Sequence, residues 1–399
     1  MPATDRFPTN PHVAATTAPP VMEARRWLQG VDFPDNRPLL NLSQAAPLDP
    51  PPEPLREAMA EMIRAEPDTH RYGPVLGLPA LRSEIAWRSS ARYGGEIHAE
   101  EVAVTAGCNQ AFCTAIMTLA APGDAVLLPF PWYFNHKMWL DMSGIETIPL
   151  PCGEGMLPDP DAARARLTPR TRAIVLVTPN NPTGAEYPPA LIAAFAELAR
   201  SHGATLVLDE TYRDFASAEA RPHDLFADPD WRDHLIQLYS FSKSFRLTGH
   251  RTGTLVASAK RLAEAEKILD TMTICAPQLG QKAALWGLRN LSDWLAAERL
   301  EILRRRDAAR TALSALPGWK VLGCGAYFAY VEHPHPLPSH ELAPLLVRDL
   351  SLLMLPGTMF APSGDPAAPR QLRIAFANVS VEGLRTLGER LATLGAVAA

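Results

Sequence analysis

Residues 173–184 read AIVLVTPNNPTG. Five apolar residues in a row, with no polar residue between them, form the pattern of a strand buried on both faces; the Pro/Asn/Gly cluster after Val177 then stops it in a turn. The pattern recurs outward from this point. Val102–Thr105 runs into Ala106-Gly107-Cys108-Asn109-Gln110, Thr205–Leu208 into Asp209-Glu210-Thr211-Tyr212, and Leu235–Tyr239 into Ser240-Phe241-Ser242-Lys243. A further short strand is predicted over 125–128, and amphipathic helices over 110–119 and 189–201. Buried strands alternating with helices imply an α/β fold around a mostly parallel sheet covered on both faces. Ligands of such sheets bind beyond the carboxyl ends of the strands, where these polar clusters fall.

The flanks complete the outline. Residues 1–20 are Pro/Thr/Ala-rich and without periodicity, which predicts a flexible or partner-draped arm. Residues 37–56 give one short strand and then a proline-rich entry into a helix. From 280 to 315 the chain turns helical and charged, long enough to bridge two lobes. Beyond it, strands near 327–331 and 372–375 and helices near 341–350 and 381–394 form a smaller α+β unit. The expected division is an arm with part of the small domain at 1–47, a large domain at 48–285 and a small C-terminal domain at 286–399. No internal repeat is present.

Composition removes several classes. With 399 residues, 47% hydrophobic, 20% charged and a formal charge of −5, the chain reads as an ordinary globular protein. The sign of the charge argues against nucleic acid, which needs a basic face. No apolar run reaches the ~18 residues of a membrane span, and the first twenty residues lack the basic and apolar regions of a signal peptide. The five cysteines include no C-x-x-C pair, so reduced thiols in a cytoplasmic protein are expected and no metal site is. Only six of the 38 basic residues are lysines, and Lys243 alone sits between serines at the mouth of a buried strand. No G-x-S-x-G, Walker A, H-E-x-x-H or G-x-G-x-x-G motif offers a rival chemistry.

Taken singly, each cluster also has a structural reading: the N-N-P-T-G run as a turn, Asp209 as a helix cap, Arg373 as a surface ion pair. In this order and spacing they resemble the class I/II aminotransferases, which are fold-type I enzymes dependent on pyridoxal 5′-phosphate. The residues that carry the likeness are Asn181-Pro182-Thr183-Gly184, Asp209-x-x-Tyr212 and Ser240-x-Ser242-Lys243, with Arg251 eight residues further on. The likeness runs from about Asn41 to Arg373. It implies a large domain with a mainly parallel sheet flanked by helices, a smaller α+β domain, and a homodimer with shared active sites. It also implies exchange of an amino group between an L-amino acid and a 2-oxo acid by a ping-pong cycle. A lyase or decarboxylase on the same frame is the alternative.

The resemblance assigns roles residue by residue. The cofactor's aldehyde needs an amine whose pKa is lowered by its site, which is Lys243; the same amine then moves the proton at the substrate Cα. Asp209 matches the carboxylate that keeps the pyridine nitrogen protonated. Asn181 and Tyr212 match the groups that hydrogen-bond the ring hydroxyl oxygen, whereas Asn180 and Glu210 are assigned to structure. Gly107 and Cys108 would offer backbone N–H groups to the phosphate at a helix start, with Ser240 and Arg251, and more weakly Ser242, beside them. Tyr133 is chosen over Trp132 as the ring stacked on the pyridine, and Tyr72 resembles the tyrosine that reaches the phosphate from the partner subunit. Arg373 matches the guanidinium that docks the substrate α-carboxylate. Ala45 covers the substrate where relatives carry Gly. Asn109 stands where some relatives acting on aspartate have lysine, so a neutral or aromatic donor is expected, with Arg25, Arg26 and Arg246 left open as side-chain cations.

Overall fold

The computed structural model describes residues 8–394. Its centre is a seven-stranded sheet: β1 (Val102–Thr105), β2 (Ala125–Phe130), β3 (Glu146–Pro151), β4 (Thr171–Val177), β5 (Thr205–Asp209), β6 (Leu235–Ser240) and β7 (Gly253–Val256), in the spatial order β1-β7-β6-β5-β4-β2-β3. The pairs among β6, β5, β4, β2 and β3 are parallel, and β7 runs antiparallel to both β1 and β6. The register aligns the strand ends: Asp209 sits opposite Val177 and Leu238, and Gly253 opposite both Ser240 and Thr105. The carboxyl ends of β1, β4, β5 and β6 and the start of β7 therefore open on one edge of the sheet.

Each face of that sheet is sealed by its own apolar layer. Ile174, Leu176, Leu206 and Leu208 point to one side with Phe195, Trp231 and Tyr239. Their neighbours Ala173, Val175, Val207, Ile236 and Leu238 point to the other, against Ala111, Phe112, Ala115 and Leu262. Alternate residues of one strand facing opposite layers is the two-residue period of β structure. Each large buried side chain contributes about 1.5–3 kcal/mol. The helix Pro189–His202 lays Ile192, Phe195 and Ala199 on the sheet and ends at Gly203, whose φ of 76° supplies the left-handed cap.

A second sheet of four strands, ordered Leu355–Pro356, Gln371–Ala375, Phe328–Glu332, Lys320–Gly325, carries its own core with Leu346, Leu384 and Leu387. Leu40–Asn41 pairs in parallel with Leu352–Leu353, so the early chain joins this body before Ser43–Ala46 returns to the large sheet.

Three sequence expectations change. The long helix is two, Gln278–Asn290 and Ser292–Ser314, broken at Leu291, where the Asn-Leu-Ser-Asp run favours an end and a new start over continuation. The described part of the arm 1–20 is not unstructured, because Pro11–Ala15 is a short helix and a second, Pro20–Arg26, starts at its end, each begun by a proline at its first position; residues 1–7 lie outside the described residues. Strands β3 and β7 went unpredicted. The first carries two prolines and is tolerated at the sheet edge, and the second is four residues long and opens with Gly.

Candidate active site

Lys243 follows β6 on a single helical turn, Phe241–Ser244, capped by the Ser240 hydroxyl, which accepts from the Ser242 N–H at 3.2 Å. Its Nζ donates to the Ala45 carbonyl at 2.5 Å. Burial, reinforced by the cations Arg251 and Arg373, pulls its pKa from 10.5 down to about 8, so about a tenth is free amine at pH 7 where an ordinary lysine has almost none. Asp209 ends β5 and is buried. Its Oδ1 accepts from the Thr211 N–H at 3.0 Å and from the Thr211 hydroxyl at 2.7 Å, and its Oδ2 faces His136 Nε2 at 3.4 Å. His136, on the helix Phe134–Met142, stacks on Phe112 at 3.8 Å between centroids. Sequence reasoning missed His136. It lies in an unremarkable helical stretch more than seventy residues before Asp209, and only folding brings the two together.

Arg373, on the strand Gln371–Ala375, is 2% exposed. It donates from Nη1 to Asn181 Oδ1 at 3.2 Å and from Nη2 to the Ser43 carbonyl, and lies over the rings of Phe134, Phe328 and Phe360. Burial lowers its pKa to about 10, and its Nε has no partner. Arg251 donates to the Thr248 carbonyl at 3.1 Å and approaches the Ser242 hydroxyl at 3.4 Å. Thus the three cations are held by carbonyls, a hydroxyl and an amide, with no carboxylate among their hydrogen-bond partners.

One cavity of about 420 Å³ gathers Lys243, Asp209, Tyr212, Asn181, Arg373, Arg251, Ser240, Ser242, Cys108, Tyr133 and Ala45. Asp209 is its only carboxylate among the described residues. Tyr133, whose hydroxyl meets Asn109 at 3.3 Å and Asn135 at 2.9 Å, is raised to about 12 by burial. Trp132 instead lines a separate groove, with Lys137 over its ring at 5.7 Å. Tyr72 is 78% exposed and outside the cavity. Glu210 points to the opposite side of the sheet end from Asp209. It is buried against Tyr93 at 2.6 Å and His223 at 3.4 Å; burial opposes its charge, but His223 and Arg213 hold its pKa down to about 2.

The donor set suits a phosphorylated aldehyde cofactor. Gly107 has φ 88°, and a Cβ there would fall 2.2 Å from Arg251 Nη2. Gly253 lets the start of the helix Cys108–Met117 approach, since its Cβ would lie 2.6 Å from the Cys108 nitrogen. Both glycines therefore keep open a cradle bounded by a helix N-terminus and a guanidinium, a setting suited to a dianionic phosphate. An amine with a lowered pKa and the buried carboxyl of Asp209 complete the set, and the residues fit pyridoxal 5′-phosphate.

Residues 37–391 match the family model described as aminotransferase class I and II. Among similar proteins is an aspartate/prephenate aminotransferase of Thermus thermophilus, 30% identical over 93% of this chain and 92% of that one. An arginine–pyruvate transaminase of Pseudomonas aeruginosa is 32% identical over 90% of each. Among solved structures, aspartate aminotransferase from Thermus thermophilus with maleate superposes with a TM-score of 0.87 at 27% identity, covering 97% of this chain and 99% of that one. The substrates in these names differ from one another, while the fold and the reaction type do not.

Proposed function

The chain belongs to the class I and II aminotransferase family and is a pyridoxal-phosphate-dependent aminotransferase, and on that premise we propose that the cavity at the strand ends is its active site, with Lys243 as the amine that carries the reaction. The observation that carries this is the Lys243 amine itself: largely buried, lowered to about 8, and surrounded by a site with one carboxylate. When bound, the cofactor supplies an aldehyde for that amine and an electron-accepting ring.

The protein's residues do the rest. Arg251, the Ser240 hydroxyl and the Cys108 N–H bind the phosphate and fix the ring position, whereas the Gly107 N–H expected to join them donates to the Thr105 carbonyl at 2.7 Å. Asp209, fastened by Thr211 and by His136, holds a proton on the ring nitrogen. Tyr133 covers one ring face. Asn181 spends its Oδ1 on Arg373, which leaves its amide N–H groups to donate to the ring hydroxyl oxygen together with Tyr212. Arg373 binds the α-carboxylate and so orients the Cα–H bond, and Lys243 Nζ takes that proton and returns it on the far side of the transfer. Ala45 packs over the substrate, its carbonyl already within reach of the Lys243 amine.

The same reading extends to assembly. The Gly73 N–H donates to Cys275 Sγ at 3.4 Å, which joins the segment carrying Tyr72 to the one carrying Ile274. Tyr72, Met272 and Ile274 are large, apolar and exposed, and Ile274 holds φ 64°, a costly conformation for a β-branched residue. These features support a homodimer in which Tyr72 enters the partner's site. The domain limits proposed are 1–47, 48–285 and 286–399, with the helix Ser292–Ser314 spanning the seam. A cytoplasmic location is supported by five free cysteines, and no helix among the described residues is long and apolar enough to cross a membrane.

Borohydride reduction of the cofactor-loaded protein followed by peptide mass mapping tests the assignment. The cofactor's mass should appear on the peptide carrying Lys243, and the Lys243→Ala variant should show none and lose about 10²–10⁴-fold or more in turnover. Attachment to another lysine would refute it.

A further inference from the structure

Resting on that reading of the cavity, we infer that Arg25 is the residue that reads the substrate's side chain, and that the enzyme's preferred substrates carry a second carboxylate. The helix Pro20–Arg26 contributes Val21, Met22 and Arg25 to the cavity wall, with Pro19 just before it. The Arg25 guanidinium donates to Gln44 Oε1 at 3.0 Å and touches Met22 Sδ at 3.9 Å, and no carboxylate of the described residues pairs with it.

The charges of the site show what Arg25 is for. Four cations line the cavity: Lys243, Arg251, Arg373 and Arg25. The wall offers only Asp209 against them, and Asp209 is engaged with His136 and Thr211. In the proposed site the phosphate answers Arg251, the α-carboxylate answers Arg373, and Lys243 works as a neutral amine. Arg25 remains without a counter-charge, and a carboxylate at the end of the substrate side chain supplies it. The other two candidate cations do not compete. Arg246 is bound to Glu298 at 2.7 Å and to Asp49 at 3.4 Å, and Arg26 is not in the wall.

Geometry places Arg25 at the right reach. The consecutive residues Ser43, Gln44 and Ala45 contact Arg373, Arg25 and Lys243 respectively. These contacts gather the three cations on one three-residue segment of the cavity wall, Arg373 and Lys243 through backbone carbonyls and Arg25 through the Gln44 side chain. One substrate can therefore place its α-carboxylate on Arg373, its Cα at Lys243 and its side-chain carboxylate on Arg25. The Asn109 side chain, also in the wall, adds a neutral donor but no charge. The neutral or aromatic donor expected from Asn109 gives way on this reading, because the cation comes from the N-terminal helix instead.

The test uses the holoenzyme, the Arg25→Gln and Arg25→Lys variants, and two separate readouts. In donor half-reactions, kcat/KM for L-aspartate and L-glutamate should exceed that for L-leucine. Arg25→Gln should lower the dicarboxylate values by about 10- to 150-fold, the range of a charge-assisted hydrogen bond, leave L-leucine within about threefold, and be partly rescued by Arg25→Lys. Calorimetric binding of succinate, which cannot react, should be tighter than that of butyrate in the wild type and lose that advantage in Arg25→Gln. Equal losses for all donors, or a succinate preference that survives in Arg25→Gln, overturns the role of Arg25. Failure of every donor to transfer an amino group, with Arg25-dependent succinate binding intact, would instead bring down the reaction assignment and leave Arg25 standing.

Discussion

Replacing Lys243 by Met should make the cofactor-free protein more stable at neutral pH, and the gain should vanish as the solution becomes alkaline. In the fold the amine titrates at about 8 against 10.5 for an ordinary lysine, because it is buried beside Arg251 and Arg373. The folded state therefore binds this proton more weakly than the unfolded chain does. Below pH 8 both states are protonated and the wild type carries a constant cost. Between 8 and 10.5 only the unfolded chain holds the proton, so wild-type stability rises with pH relative to the variant. At about 1.4 kcal/mol per tenfold change, the fall from 10.5 to about 8 amounts to a ceiling of about 3 kcal/mol, reduced toward about 2 because solvent reaches part of the side chain. Met is similar in length and adds no charge. Urea unfolding of both apoproteins from pH 6.5 to 10.5 reads the difference directly. A wild-type-minus-variant stability that stays flat across this range would refute the claim that the fold depresses the Lys243 pKa.

Other perturbations follow from the same geometry. Gly107→Ala puts a Cβ against Arg251 at a backbone φ of 88°; at about 1–3 kcal/mol of strain, cofactor affinity measured by fluorescence titration should fall about tenfold or more, and unchanged affinity would contradict the cradle. His136→Leu removes the imidazole that faces Asp209 at 3.4 Å. It should lower kcat by about tenfold with donor KM little changed and shift the pH titration of the bound cofactor's absorbance; an effect on KM alone would deny the positioning role. Co-refolding Lys243→Ala with Tyr72→Ala subunits should restore about a quarter of wild-type activity if sites are shared across a twofold dimer, and activity no higher than that of the separate variants would place Tyr72 outside the partner's site.

The parts of the site that could be read from the sequence are those that follow a strand directly. Asp209, Ser240, Lys243 and Asn181 end or follow buried apolar runs, and a parallel sheet collects such ends on one edge whatever the helices between them do. Adjacent pairs are harder to separate. Asp209 and Glu210 differ by one position, yet the alternation of a strand end sends one carboxylate into the cavity and the other into the buried cluster with Tyr93 and His223. Contributions from helices left little trace. His136 acts through a tertiary contact with a strand far along the chain, and Arg25 sits on a seven-residue helix, too short to show a period, that starts where the Pro/Thr/Ala-rich segment 1–20 ends. The break at Leu291 left only a faint signal, the Asn-Leu-Ser-Asp run, inside a stretch whose helical propensity continues on both sides.

Amino-group transfer through Lys243 is tested most directly by a single-turnover donor reaction. Cofactor-loaded protein mixed with L-aspartate or L-glutamate, with no oxo acid present, should release one equivalent of the matching 2-oxo acid per subunit, leave the amino group on the cofactor, and stop. Lys243→Ala should release none on the same timescale. Continuous release of ammonia or carbon dioxide from the donor, or undiminished single turnover in Lys243→Ala, would contradict the claim.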